Sequence, residues 1–128
     1  MRILLDTHAL LWFNEDNSQL SERAKATILS KHNEMFVSFA SLWEISVKSS
    51  EKRLRIGMDL TEFVERHVIG QGMNVLDLNI SHLEKLMSMH WHHRDPFDRL
   101  IIAQAASERL TLISGDKNLS QYPVKILW

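Results

Sequence analysis

The chain has 128 residues, a length suited to one domain rather than two, and its 45% apolar and 24% charged residues exclude a disordered or fibrous protein. It has no cysteine, which removes disulfides, thiolate zinc sites and cysteine nucleophiles from consideration. With 15 basic and 16 acidic residues the formal charge is −1, so any nucleic-acid partner has to be gripped by a local patch or through metal ions.

The amino-terminal run Met1 to Phe13 is apolar but broken by Asp6 and His8. It therefore falls short of the roughly 18 uninterrupted apolar residues that a membrane span needs. It also lacks the small-residue cleavage site of a secretory signal, and the expectation is a cytoplasmic protein with no membrane partner. Within it, Arg2 to Leu5 reads as a buried strand that stops at Asp6, and His8 to Phe13 as a short helix. Ser21 is a cap for a helix running to about Lys31, with Ala24 and Ile28 on its inner face.

Met35 to Val37 reads as a second strand, ending near Ser38. Ser41 with Glu44 three residues later has the form of a capping box, opening a helix toward Ser50. Glu51 to Arg55 is then a solvated charged end, with Gly57 as punctuation. Leu60, Phe63, Val64 and Val68 mark an amphipathic helix closed by Gly70 and Gly72. Asn74 to Leu78 is a third strand. Ser81 and Glu84 give another capping-box signal, for a helix containing Leu83, Leu86 and Met87. After the polar stretch His90 to Arg94, Asp95-Pro96 introduces a helix over about Phe97 to Glu108. Thr111 to Ser114 and Val124 to Leu127 supply two last strands.

Short strands alternating with helices predict an α/β protein: a three-layer α/β/α sandwich with a mostly parallel sheet of about five strands, in one domain over residues 1–128. Ligands of such sheets sit beyond the carboxyl ends of the strands. Asp6 and Asp116 fall at such ends, and Glu44, Asp95 and Asp98 in or before the first turns of helices that can start on the same side. Carboxylates gathered there repel one another unless a cation joins them, and without thiolates the fitting cations are magnesium or manganese. Each acid also has a purely structural use. Asp6, Asp95 and Asp116 can cap helices, Glu44 can complete its capping box, and Asp98 suits the positive end of a helix. Spacing alone leaves both uses open.

The runs Ile3 to His8, Ser41 to Ile45, Asp95 to Ala105 and Leu112 to Asp116 together resemble the PIN domain, in particular the VapC-type toxin ribonucleases of bacterial toxin–antitoxin pairs. The likeness extends over nearly the whole chain, and its most specific part is Asp95-Pro96-Phe97-Asp98-Arg99-Leu100-Ile101-Ile102-Ala103-Gln104-Ala105. It implies a divalent-metal-dependent endoribonuclease that uses Mg2+ or Mn2+, cuts RNA, forms a homodimer and is silenced by a cognate antitoxin protein. Its acids fall here on Asp6, Glu44, Asp98 and Asp116, with Asp95 matching an additional acid of the subgroup that has the DPFDR pattern. Asp6 and Asp98 would be core metal ligands, Glu44 would hold a water or a second cation, and Asp116 would complete the set.

Around these acids, Thr7 and Ser114 carry hydroxyls able to orient a carboxylate. Arg99, Lys117, Lys48, Lys52 and Arg53 are candidates for RNA phosphate contacts, each with an ion pair or a solvated helix end as the alternative. His8 can approach phosphate or lie partly buried near Trp12. The trio His90, His92 and His93 is read as a loop bordering the substrate rather than as a zinc site. Trp12 and Trp43 lie in apolar periodic segments and are read as packing groups, Trp91 as the more exposed indole, and Trp128 as a cover for the last strand. Two other functions stay open: a PIN-fold nuclease of RNA processing outside a toxin pair, and a noncatalytic protein-interaction dimer.

Overall fold

In the computed structural model, which describes residues 1–92 and 95–128, five strands form one sheet in the order β3-β2-β1-β4-β5. They are β1 (Arg2–Leu5), β2 (Glu34–Ser38), β3 (Asn74–Leu76), β4 (Thr111–Ile113) and β5 (Ile126–Leu127), and all four pairings are parallel. The last three are shorter than their apolar runs, because Asp77, Leu78, Ser114, Val124 and Lys125 lie outside the ladder. Six α-helices connect the strands: α1 (Thr7–Asn14), α2 (Glu22–Leu29), α3 (Phe39–Ser50), α4 (Leu60–His67), α5 (Ile80–Ser88) and α6 (Pro96–Glu108).

Alternation along the strands divides the core in two. Ile3 and Leu5 of β1, Met35 and Val37 of β2 and Ile113 of β4 face one side, where Leu10, Ile28, Leu42, Ile45 and Phe63 of α1 to α4 cover them. Leu4, Phe36 and Leu112 face the other side, under Leu100, Ile101, Ile102 and Ala105 of α6 and Leu86 of α5. Burial on both faces explains why the strands read as unbroken apolar runs. The three layers are those expected of the sequence.

Two helix starts differ from the sequence reading. α3 begins three residues earlier than a Ser41 cap implies: Ser38 is the N-cap, its hydroxyl accepting from the Ala40 amide at 2.9 Å. Ser41 is buried inside the helix and receives the Thr7 hydroxyl at 3.0 Å. α5 is capped by Asn79 rather than Ser81, and its box partner is His82 rather than Glu84. The Asn79 side chain accepts from the His82 amide at 3.1 Å, while His82 Nδ1 accepts from the Asn79 amide at 3.2 Å. That leaves Nε2 to donate to Glu108 Oε1 at 3.1 Å. In both cases a residue nearer the strand satisfies the first orphan amides, which leaves the Ser41 hydroxyl to Thr7 and Ser81 exposed.

His82 belongs to a buried polar chain. Gln104, fully buried on α6, accepts from the Ser38 hydroxyl and donates to the carbonyls of Leu76 and Asp77 at 3.4 and 3.3 Å. One side chain thus ties the end of β2, the end of β3 and α6 together. Gln104→Ala strands these groups in an apolar setting. The variant is expected to lose about 2–3 kcal/mol of stability, the scale of one or two unsatisfied buried polar groups, measured by urea denaturation.

Candidate active site at the carboxyl edge of the sheet

All the acids singled out in the sequence except Glu44 and Asp98 prove to be helix caps, and capping is what places them. β1 ends at Leu5, and Asp6 opens α1, its Oδ1 accepting from the Ala9 amide at 2.7 Å. The Asp6 amide donates to the Ile113 carbonyl at 3.0 Å, which pins the residue beside β4. Asp95 caps α6, accepting from the amides of Phe97 and Asp98 at 2.9 and 3.1 Å. Asp116 caps a 3-10 turn over Lys117–Gln121, accepting from the Asn118 amide at 2.9 Å. In each cap a single oxygen, Oδ1, takes the amides.

The strand order puts Asp6 and Asp116 on neighbouring strands, where the chain winds one way through β2 and β3 and the other way through β5. This is the switch point of the sheet, the usual place for a ligand in an open α/β fold. Gly115 makes the approach to Asp116 possible, because a Cβ there would meet the Trp128 indole at 2.9 Å. Ser114, buried between the two acids, hydrogen-bonds the Asp6 carboxylate and accepts from the Asp116 amide at 3.2 Å. Thr7 has a different place: its hydroxyl lies on Ser41 and couples α1 to α3.

Glu44, in the second turn of α3, is 3% exposed. Its Oε2 accepts from Lys48 Nζ at 2.6 Å, and its Oε1 has no hydrogen-bond partner. The helix is braced at this level by Trp43, whose ring meets Phe97 edge-on at 4.9 Å between centroids. Each ring belongs to the neighbour in sequence of an acid, so the contact sets α3, bearing Glu44, against α6, bearing Asp98.

Electrostatics shows that these acids share one field. The Asp98 carboxyl is pushed up to about 7 by burial first, then by the charges of Asp95, Glu44, Asp6 and Asp116. Asp6 is raised mainly by burial, against the pull of the Ser114 hydrogen bond, the Ala9 amide and His8, with Glu44 adding to the rise. An uncompensated buried oxygen on Glu44 and mutually repelling carboxylates fit a hard divalent cation, for which the donor set is all oxygen. Among the described residues, no three His, Asp or Glu side chains stand together as a ready-made cage.

The basic candidates are distributed around this edge. Lys48 is paired with Glu44, and Arg53 with Glu51 Oε2 at 3.2 Å. Lys52 and Lys117 are exposed. Arg99 lies with its guanidinium 4.8 Å from the Trp91 ring centre, its Nε buried without a partner. Trp91, expected to be the exposed indole, is half-buried and donates to the Leu86 carbonyl at 2.7 Å. Trp43 instead is 47% exposed, while Trp12 and Trp128 pack together at 5.9 Å. His8 stacks on Trp12 at 5.5 Å but is exposed rather than partly buried. His90 and His92 have their rings 5.0 Å apart, and the His92 amide donates to the Tyr122 hydroxyl. His93 lies outside the described residues.

The sequence pattern of the PIN domain matches residues 3–125. The chain belongs to the PIN domain family. No curated protein matches it at the level of sequence. Among solved structures, this PIN domain is similar to VapBC2 from Rickettsia felis bound to a DNA fragment from their promoter, at TM-score 0.74 and 15% identity over 99% of this chain and 98% of that one. It is also similar to DNA-bound VapBC from Salmonella typhimurium, at TM-score 0.71 and 16% identity over 99% and 97% of the two chains. FitAcB from Neisseria gonorrhoeae gives TM-score 0.67 and 19% identity over 98% and 96%. At these identities the likeness is one of fold.

Ser38, Ser41 and Gln104, which the sequence reading did not single out as supports of the site, join α3 and α6 to the sheet and to α1. The available signal was a glutamine in the apolar middle of α6, where a buried amide demands partners.

Because Asp98 titrates near 7 in the folded chain against an ordinary 3.8, the folded state holds this proton more tightly than the unfolded one. Its ionised form therefore opposes folding, increasingly as pH rises from about 4 to about 7. In chelator, Asp98→Asn is expected to exceed the parent in stability at pH 8 by on the order of 1–2 kcal/mol, a figure discounted for partial exposure, and to lose that advantage toward pH 4. Urea denaturation of both proteins across this range checks it, and a gap that does not change with pH would remove Asp98 from the shared field.

Proposed function

We propose that this PIN domain is a divalent-metal-dependent endoribonuclease acting as the toxin of a toxin–antitoxin pair. What supports the reading is that Asp98 feels the charges of Asp95, Glu44, Asp6 and Asp116 at this edge of the sheet, and that one buried oxygen of Glu44 has no hydrogen-bond partner. Asp6 and Asp98 would hold a magnesium or manganese ion, with Glu44 and Asp116 beside them and Asp95 next in line. What such an ion supplies is a lowered pKa for water and positive charge against a phosphodiester.

The chain's own groups prepare that chemistry. Ser114 orients Asp6, the Thr7–Ser41 bond fixes α1 against the helix bearing Glu44, and Asp95 holds the first turn of α6 from which Asp98 projects. Asp98 keeps a proton near neutrality while no positive charge is present. Lys117, Lys52, Arg53 and Arg99 are the groups from which RNA phosphates would receive direct contacts, since the overall charge of −1 gives no general attraction.

The fold shared with VapBC and FitAB supports the toxin reading, with a cognate antitoxin as partner and a homodimer as the working form. Two apolar surfaces are available to those partners. One is a groove of about 580 Å3 between α3 and α4, lined by Phe39, Trp43, Leu60 and Ile69 among others. The second is the exposed stripe Ile80, Leu83 and Met87 on α5. No helix of the described residues is long and apolar enough to cross a membrane.

Purified chain is expected to cut total cellular RNA into discrete fragments with manganese or magnesium and to leave it intact in chelator. Asp6→Asn and Asp98→Asn are expected to slow cleavage by roughly two orders of magnitude or more, the scale of a lost charge-organising group, while retaining the fold by circular dichroism. Cleavage that persists in chelator, or in both variants, would assign the activity to something other than this carboxylate edge.

A further inference from the structure

His8 is the outer member of a stack of three rings. Trp128 lies against Gly115 at the carboxyl edge, so closely that a Cβ there would meet the indole at 2.9 Å. Trp12 packs on Trp128 with ring centres 5.9 Å apart, and the His8 imidazole lies over Trp12 at 5.5 Å with 30° between the planes. The two indoles are half-buried against the core, whereas His8 is exposed. Rings one turn apart on a helix often pack together with no further use. Here, however, the outermost ring is a flat aromatic surface held at a cleft of about 210 Å3 between α1 and α3.

The walls of this cleft are of the kinds a nucleotide uses. Lys48 and Arg53 supply cations, Leu11 and Leu54 apolar surface, and Thr7 and Glu44 form the part that adjoins the acids. His8 follows Asp6 by two residues, and its charge draws the Asp6 carboxyl down, so the ring stands within electrostatic reach of the carboxylate edge. We infer that the cleft between α1 and α3 receives one base of the RNA chain, that of a nucleotide beside the scissile phosphate, stacked on the His8 imidazole. Base and phosphate of a nucleotide are joined through a single sugar. A phosphate at Asp6 and Glu44 therefore brings the adjoining base to a cleft that has Glu44 in its wall. Stacking takes the face of any base, so the cleft selects a nucleotide free of pairing rather than a particular sequence. Arg53, with its side chain 62% exposed, is the cation beside it for the next phosphate. The inference rests on the metal-nuclease reading and adds the place of the substrate's base.

Proton magnetic resonance of the histidine rings in the full-length chain, at one pH and with Mg2+ present, reads the contact directly. The His8 signals are identified by their absence from His8→Phe. Adenosine and guanosine monophosphate are expected to move them upfield, through the ring current of a stacked base, while ribose 5-phosphate leaves them nearly in place. Cleavage of a short random-sequence RNA pool carrying a fluorophore and a quencher gives a second readout. His8→Ala is expected to raise KM by about tenfold with kcat little changed, and His8→Phe, which keeps a flat ring, to stay near the parent. The exposed ring should be dispensable for folding, checked by circular dichroism; if His8→Ala does not fold, the parent's own shifts and His8→Phe decide. His8 signals unmoved by either nucleotide, or moved as far by ribose 5-phosphate, would overturn the inference, as would an unchanged KM in folded His8→Ala. Each of these leaves the nuclease reading intact so long as the parent cuts RNA. A parent that cuts no RNA with either metal would end both.

Discussion

Helix capping at the carboxyl edge of a parallel sheet is the interaction on which the rest of this structure depends. A parallel strand hands the chain to a helix at that edge, and the helix begins with amides that have no intrahelical partner. At two such starts the sequence supplies an aspartate, Asp6 for α1 and Asp116 for the 3-10 turn after β4, and a third, Asp95, caps α6 after α5. An aspartate caps with one oxygen and keeps the other, so a device that satisfies backbone groups also stocks one edge with carboxylate oxygens. The helix ends favour negative charge there, typically by 0.3–1 kcal/mol each in exposed settings. The neighbouring acids work against it, and the outcome is visible at Asp98, whose carboxyl they and burial lift to about 7. The capping and ligand readings of these residues are two uses of the same atoms.

What prevents the repelling acids from splaying is a set of cross-links between the elements that carry them. Ser114 bonds both Asp6 and the Asp116 amide. The Thr7–Ser41 bond joins α1 to α3, and Trp43 against Phe97 joins α3 to α6. Gln104 then anchors α6 to the ends of β2 and β3. None of these groups needs to touch a substrate. Their effect is to tie together the elements that carry Asp6, Glu44, Asp98 and Asp116, which is the condition under which carboxylates could act as a preorganised set.

The fold was legible because its strands are buried on both faces and therefore read as apolar runs between helical periods, and because the aspartate caps at Asp6, Asp95 and Asp116 have local signatures. The starts of α3 and α5 were less so. Ser38 and Ser41 are both hydroxyls ahead of an apolar helix, as Asn79 and Ser81 are both capping types, and one-dimensional spacing does not say which meets the first amide. The consequence for the site is large. With the start at Ser38, Glu44 moves out of the first turn, has no backbone amide to receive, and becomes a buried carboxylate whose cation is Lys48. The i,i+4 spacing of that pair is present in the sequence, but only burial distinguishes it from a surface pair worth a few tenths of a kcal/mol. Burial likewise separated Trp91 from Trp43, since sequence polarity around an indole does not report what packs over it.

In the proposed nuclease, the position of the basic groups bears on how the acidic edge would meet RNA. An exposed phosphodiester approaching Asp6, Asp98 and Asp116 meets charge of its own sign, and the chain as a whole, at −1, does nothing to offset it. Lys48 is spent on Glu44, and Arg53 is drawn toward Glu51. Arg99, stacked on Trp91, is held on the flank of α6. In the proposed nuclease, then, substrate affinity and cation occupancy are one property: the same carboxylates that repel RNA from the bare site are those that a divalent cation must neutralise before the scissile phosphate can settle. In that reading the active edge admits an anion once a divalent cation has neutralised its carboxylates, and the exposed Lys52 and Lys117 remain for direct phosphate contacts.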